Sequence, residues 1–248
     1  MTDWAIGQTV ITMMQGLGGV RAERRGAYAE VVTVDAQALA LVPPAVDPLA
    51  MAALGLVGVT AIGGLGRLGS LEGKKVLVTG AAGGVGSAAI AIARAMGASV
   101  VGLVARAGQA EHVKALGAEE VIVVERGQPP ALAANSVDAV LDSVGGLLFG
   151  PCISALREQG SLVLVGAVAG GDVSFDAWQL IRPVTLTGYS TESLDGPGLR
   201  ASVEMLSAWL AAGVIRAPGY TAFALERAAD AHALLERGGV TGRVLLVQ

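Results

Sequence analysis

Residues 75–97, KVLVTGAAGGVGSAAIAIARAMG, decide how the chain is read. The first five, 75–79, form a short β-branched run of the kind that makes a strand buried on both faces of a parallel sheet. The run breaks into Gly80-Ala81-Ala82-Gly83-Gly84-Val85-Gly86 and resumes as an Ala/Ile/Met-rich segment of helical length. Laid on the dinucleotide fingerprint G-x-G-x-x-G, the loop reads Ala81-x-Gly83-x-x-Gly86, with alanine in the first glycine's place. Gly83 lets backbone approach a pyrophosphate, and Gly86 lets the helix lie close on the strand. The helix N-terminus, entered through Ala82, Gly83, Gly84 and Val85, offers unpaired N–H groups to the anion. A glycine motif alone is a weak signal. This one lies between a strand and a helix, and a second strand, 99–104, follows it, which favours a nucleotide site over a bland glycine-rich turn.

Outward from this stretch the pattern alternates. Strand 75–79 and helix 84–96 lead to strand 99–104, helix 108–116 and strand 120–124. A Pro/Ala-rich loop then precedes strand 138–142, helix 146–157, strand 161–166 and strand 184–188. Six strands joined through short helices predict an α/β fold with a doubly wound, six-stranded parallel sheet. Helix 197–212, an irregular strand 218–224, amphipathic helix 225–237 and strand 243–247 close the chain. Upstream, 4–11 and 27–34 read as strands around an exposed loop, 16–25, with a helical turn at 35–39 and an extended crossing at 41–44. The terminal pieces are expected to pair with the N-terminal strands as a second small lobe. This gives an organisation of 1–47, 48–213 and 214–248.

Composition bounds the rest. The chain has 248 residues, is 53% hydrophobic and 15% charged, and carries 36 glycines. That suits one large domain or two small ones around a sheet buried on both faces. A net charge of −4 with no basic cluster argues against nucleic acid as a partner. One cysteine, Cys152, excludes an internal disulfide and points to a reducing cytoplasm. The N-terminus MTDWAIGQ has an acid and no basic region, so it does not read as a signal peptide. Residues 48–66 are free of charge and long enough to cross a bilayer. They contain five glycines, and only 48–56 looks strongly helical, so a pair of buried helical turns flanking a cofactor cleft is expected rather than a membrane span.

Five short stretches, in order, resemble the medium-chain dehydrogenase/reductase superfamily in its zinc-free quinone oxidoreductase branch. They are Gly26-Ala27-Tyr28-Ala29-Glu30, LGLVGVTA at 54–61, Ala81–Gly86, Asp142-Ser143-Val144-Gly145-Gly146 and Thr241-Gly242-Arg243-Val244. The resemblance implies a Rossmann domain with a small GroES-like β lobe built from both chain ends. Family members open with a stretch of catalytic lobe before a W-x-x-G-D-x-V strand. Here the sequence starts at that strand, Trp4 to Val10, so the lobe is expected to be incomplete and to lack residues that floor the substrate pocket and contact nicotinamide. Val31 and Val124 stand where the family commonly has tyrosines.

The end of the second strand chooses between cofactors. An NAD site needs an acid about 20 residues past the glycine loop to accept from the ribose hydroxyls. Here stand Val104-Ala105-Arg106-Ala107. With no carboxylate to repel a 2′-phosphate and a guanidinium to pair with it, NADP(H) is favoured. The alternative is a solvated arginine opening a helix, and the family's supporting lysine is Gln109. Ser143, Val144 and Gly145, with Val165, Gly166 and Ala167, follow the fourth and fifth strands at their carboxyl ends, where ligands of such sheets lie. They are read as backbone walls for the nicotinamide half. The resemblance adds Thr60 near the nicotinamide ring, with a helix cap as the alternative, and Arg243 from the closing strand.

Metal chemistry is nearly excluded. Cys152, His112 and His232 are isolated, whereas a catalytic zinc needs three clustered ligands and a structural one four. His112 reads as a face residue of its helix, His232 as structural and Cys152 as a small buried apolar side chain. No nucleophilic triad or carboxylate pair assembles. Tyr28, Tyr189, Ser190 and Tyr220 are the only candidate hydroxyl donors, and none is singled out. The resemblance implies metal-free, NADP(H)-dependent reduction of quinones or α,β-unsaturated carbonyl compounds as the expected activity. The rivals are a relative that binds NADP(H) without turnover as a binding or interaction protein, and a non-redox enzyme reusing the cleft. Residues 184–188 form an outermost apolar strand without internal proline or lysine, so a homodimer built on that edge is expected.

Overall fold

The computed structural model describes residues 4–13, 26–125, 128, 130–238 and 240–248. The predicted loop 16–25 lies outside them. The N-terminal strand shrinks to β1 (Val10–Ile11), which pairs antiparallel with β2 (Ala40–Leu41). Residues 27–34, expected as a strand, join no ladder; Tyr28 and Val31 are exposed, so the alternating pattern meets no sheet to bury it. The turn expected at 35–39 is a 3₁₀ turn, Ala36–Ala38, capped by Asp35, whose side chain accepts from the Gln37 N–H at 2.8 Å.

Residues 48–66 correct the reading most. They form one unbroken helix, α1 (Pro48–Gly66), and not two separate turns. Its glycines are notches rather than breaks. A Cβ at Gly55 would stand 2.7 Å from Ile11 Cδ1, one at Gly58 2.9 Å from Leu206 Cδ1, and one at Gly64 2.7 Å from Val165 Cγ1. The ring of Tyr189 fills the space beside Gly63. Burial of this close packing offsets the helix propensity that glycine loses, about 1 kcal/mol per residue. By length and composition α1 could cross a membrane, and most of its apolar window is buried within the protein.

Next come β3 (Lys75–Val78), α2 (Gly84–Ala95), β4 (Ser99–Val104), α3 (Ala110–Ala115) and β5 (Glu120–Val123). β6 (Val137–Asp142), α4 (Phe149–Ala155), β7 (Leu156–Leu164) and β8 (Thr185–Gly188) complete the series. The six strands form one parallel sheet in the order β5-β4-β3-β6-β7-β8. Leu77, Val101, Val140, Ile153, Leu156 and Leu162 meet in its core and are almost fully buried. The strand order reverses between β3 and β6, which is where sheets of this kind open a crevice at their carboxyl ends.

The helix expected over 146–157 is shorter, and the following strand starts earlier. Arg182 explains the stop: its guanidinium donates to the carbonyls of Ile153 (3.0 Å) and Leu156 (2.9 Å) at the C-terminal end of α4. Satisfied in this way, the last carbonyls need no further helical turn. The chain enters β7 at Leu156, and the register with β6 shifts between Val137 and Ala139.

α5 (Gly196–Ala211) is capped by Asp195, which accepts from the Gly198 N–H at 2.8 Å. β9 (Tyr220–Ala224), α6 (Ala228–Arg237) and β10 (Arg243–Val247) follow. β9 and β10 pair in parallel with each other, Tyr220 opposite Arg243, and not with the N-terminal strands as expected. The chain ends are tied by side chains instead. Tyr28 Oη lies 3.1 Å from His232 Nε2, and the Gln248 amide donates to the Ala29 carbonyl at 3.2 Å. Compact packing divides the chain into residues 1–59 with 190–248, and residues 60–189. The sequence had placed these divisions at 47/48 and 213/214.

Candidate functional site

The glycine loop leaves β3 through Gly80, whose φ of +58° is open to glycine at little cost. Ala81 and Ala82 are buried, and the Ala81 N–H donates to Leu103 of β4, anchoring the loop to the sheet. Gly83 is exposed, and its side-chain-free N-cap leaves the first turn of α2 open. A Cβ at Gly83 would stand 3.2 Å from the Gly80 carbonyl oxygen, and one at Gly86 2.7 Å from Ala81 Cα. The first bond of α2 runs from the Ser87 N–H to Gly83 O at 2.8 Å, so the N–H groups of Gly84 and Val85, half-buried at that turn, have no acceptor within the helix, and α2 has no acid in its first turn. This end of α2 is therefore a cradle for an anion.

Two backbone turns stand beside it at the carboxyl ends of β6 and β7. In the first, Ser143 and Val144 are half-buried and Gly145 buried, with φ of +66° at Gly145 and +53° at Gly146. In the second, Val165 and Gly166 are half-buried and Ala167 is exposed. The turns are bonded to each other: the Ala169 N–H donates to Val144 O (2.9 Å) and the Gly146 N–H to Gly170 O (3.1 Å). A side chain at Gly145 would meet the Gly170 carbonyl oxygen at 3.0 Å, so the walls touch backbone to backbone. Thr60 is 8% exposed and lies one helical turn before Gly64, on the face of α1 that meets Val165 and Leu141.

Arg106 follows β4 at the start of the 3₁₀ turn Ala107–Gln109. It is exposed, and its side chain has no hydrogen bond or ion pair with the described residues. The structure thus gathers the glycine loop, both turns, Thr60 and Arg106 in the unit 60–189. Arg243 belongs to the other unit. It is half-buried in β10, its Nε has no partner among the described residues, and burial lowers its pKa.

Two residues to which reading the sequence gave no role in the site organise the crevice. Thr79 and Asp142 are fully buried neighbours at the ends of β3 and β6. The Thr79 hydroxyl donates to Asp142 Oδ1 at 2.6 Å, and the same oxygen accepts from the N–H groups of Val144 (2.9 Å) and Gly145 (3.1 Å). The Asp-x-x-Gly spacing could have announced the turn. Thr79, 63 residues away, could be known only from the fold.

The candidate metal ligands stay apart. No group of three or more His, Cys, Asp or Glu that could hold a metal occurs among the described residues. Cys152 is buried, and burial, with the nearby Asp142 carboxylate adding to it, pushes its thiol pKa well up. Burial lowers the His112 pKa, and His232 faces Tyr28.

A doubly wound sheet with an anion cradle at its switch point defines a nucleotide-binding α/β protein. Comparison with known proteins narrows the class. Residues 84–206 match the family model described as zinc-binding dehydrogenase. Prostaglandin reductase-3 of Bos taurus is 36% identical over 154 residues, covering 58% of this chain and 39% of that protein. The 2-methylene-furan-3-one reductase of Solanum lycopersicum is 33% identical over 223 residues, covering 89% and 52%. Among solved structures, Escherichia coli quinone oxidoreductase complexed with NADPH superposes with a TM-score of 0.84 at 25% identity, covering 100% of this chain and 77% of that one. Bacillus subtilis YhfP with NAD bound gives 0.82 at 28% identity, covering 100% and 78%. The chain is similar to the medium-chain dehydrogenase/reductase superfamily, on its quinone oxidoreductase-like side. It spans 39% and 52% of the lengths of the two curated relatives named.

Proposed function

We propose that the chain binds NADP(H) and reduces quinones or α,β-unsaturated carbonyl compounds without zinc. The observation that carries the cofactor choice is Arg106. It stands at the end of β4 beside an open anion cradle, in a turn that holds no carboxylate. The names of relatives and the NADPH-bound neighbour support the reaction class. The residues fit the cofactor: a side chain on Gly83 would close the approach that a pyrophosphate needs, and the unpaired N–H groups of α2 point to negative charge.

Reduced nicotinamide supplies the hydride when bound. The chain's residues bind and orient. Gly84 and Val85 N–H groups hold the pyrophosphate, and Arg106 pairs with the 2′-phosphate. The turns at Ser143–Gly145 and Val165–Ala167, with Thr60 above them, present rigid backbone to the ring. No side chain of the described residues is assigned as proton donor, and solvent water would supply the proton that the reduced product needs. The donor set supports zinc independence: the one cysteine is buried, and among the described residues no group of His, Cys, Asp or Glu could hold a metal.

The reading extends to a cytoplasmic protein with small-molecule substrates, free of nucleic acid and membrane, and a homodimer through the edge of β8. Mixing the protein with NADPH and a panel of quinones and enones, with and without a zinc chelator, tests it by loss of absorbance at the dihydronicotinamide band. Chelator-insensitive turnover is expected. NADPH binding without turnover of any substrate would favour a nucleotide-binding protein that has no redox activity.

A further inference from the structure

We propose that Thr79 and Asp142 are positioning residues, which hold the nicotinamide-side turn of residues 143–146 in register with the phosphate loop. This rests on the nucleotide-binding reading above. The two sit side by side because Val78 and Leu141 pair in the parallel ladder and the Thr79 N–H continues it to Leu141 O at 3.1 Å. Thr79 immediately precedes Gly80, where the phosphate loop begins. Asp142 immediately precedes the turn that walls the other half of the crevice. One hydroxyl and one carboxylate oxygen therefore join the roots of the two ligand-facing loops.

The geometry of the join is complete on one side. Thr79 Oγ1 donates to Asp142 Oδ1 and accepts from the Ser143 N–H at 3.0 Å. The Ser143 hydroxyl returns a bond to the Thr79 carbonyl at 3.1 Å. Asp142 Oδ1 also receives the N–H groups of Val144 and Gly145, so a single oxygen fixes three donors. Asp142 Oδ2, equally buried, has no partner among the described residues, so the hydrogen bonding of this carboxylate runs through Oδ1, to Thr79 and to the turn. Beyond the join the loops are in steric register. A Cβ at Gly80 would meet Ser143 Oγ at 2.8 Å, and one at Gly166 would meet Ser143 O at 3.1 Å. A small shift of Ser143 is thus transmitted to the phosphate loop on one side and to the β7 turn on the other.

A positioning role differs from a merely structural one in which part of the cofactor it affects. The adenine half contacts the cradle and Arg106, while the nicotinamide half depends on the placement of residues 143–146. Calorimetry with NADPH and with 2′,5′-ADP, the adenine half alone, separates the two. Thr79→Val keeps shape and loses the hydroxyl. It is expected to weaken NADPH by about five- to tenfold, the worth of one net hydrogen bond, while 2′,5′-ADP binding is unchanged. Thr79→Ser, which keeps the hydroxyl, is expected to restore NADPH binding. Asp142→Asn keeps the shape but turns the carboxylate into a neutral amide, a weaker acceptor for the Thr79 hydroxyl and the Val144 and Gly145 N–H groups; it is expected to show the same split, and it decides the matter if Thr79→Val does not fold. Parallel losses of both ligands, wild-type affinities in both variants, or no rescue by serine would overturn the proposal. A wild-type protein that binds neither ligand would overturn the nucleotide reading, and the proposal with it, before any variant is made.

Discussion

The carbonyl oxygen of Gly80 fills the space into which a side chain on Gly86 would have to grow. The end of β3 and the first turn of α2 are in backbone contact there, and the intervening loop has one shape. Gly83 sits on the outer side of that loop with φ of −78° and ψ of 174°, a conformation open to any residue. The two glycines are therefore required for different reasons.

Gly83→Val should leave the fold intact and abolish binding of NADPH and NADH alike, because the branched side chain occupies the anion's approach. Gly86→Ala should lower stability by about 1–3 kcal/mol, the usual cost of forcing a methyl into a packed contact. Thermal melts and cofactor titrations on both variants check this. A folded Gly83→Val protein that still binds either cofactor would refute the assignment of the cradle.

Arg106→Ala should weaken NADPH by roughly ten- to a hundredfold, the range for a hydrogen bond to a charged group, and leave NADH nearly unchanged. Only NADPH carries a 2′-phosphate. Titrating both cofactors into both proteins decides it, and equal losses would show that the guanidinium serves another purpose.

The sheet also carries a pH-sensitive junction. Burial by itself would raise the Asp138 pKa, but the Lys75 N–H at 2.7 Å and the Arg157 guanidinium at 2.8 Å outweigh it and hold the carboxyl below its ordinary value. A carboxyl depressed in the folded state stabilises the protein above its unfolded pKa, near 3.8, and loses that contribution as pH falls through the lower folded value. Asp138→Asn should therefore destabilise the protein at neutral pH and progressively less below about pH 4. Denaturant melts of both proteins across that window test the sign. A gap that stays constant with pH would show that the ionised carboxylate contributes nothing.

Most of the cofactor sheet was legible because its central strands β3, β4 and β6 are buried and read as largely apolar runs between turn residues. The places of the glycine loop, between β3 and α2, and of Arg106, after β4, were legible because they follow from spacing along the chain. What escaped the sequence depends on contacts between distant residues. The glycines of α1 looked like breaks because Leu206, Val165 and Tyr189, which fill the notches, lie far along the chain. The stop of α4 depends on Arg182, and the hold on residues 143–146 depends on Thr79. Residues 27–34 have the alternation of a strand but pair with no strand among the described residues, and local pattern cannot supply one.

The edge of β8 carries the last prediction. The Gln159 N–H reaches Pro183 O, and the Tyr189 N–H reaches Leu164 O, so odd-numbered residues of this strand turn their backbone groups to β7. By alternation, residues 186 and 188 present theirs to the open edge, whereas the Val184 N–H is taken by Arg182 O at 2.7 Å. Leu186 packs against the core, and Thr185 faces β7 with its N–H, so neither Leu186→Lys nor Thr185→Pro would probe the edge without damaging the sheet. The turn leading into β8 adds apolar surface, with Trp178 75% and Ile181 70% exposed. An unpaired apolar edge is a template for another strand, and a second copy offers the same strand across a two-fold axis. The wild type is expected to be a dimer by light scattering. Gly188→Pro, which removes an outward N–H, combined with Ile181→Glu, should give a folded monomer with an unchanged circular dichroism spectrum. A monodisperse wild-type monomer at micromolar concentration would rule the interface out.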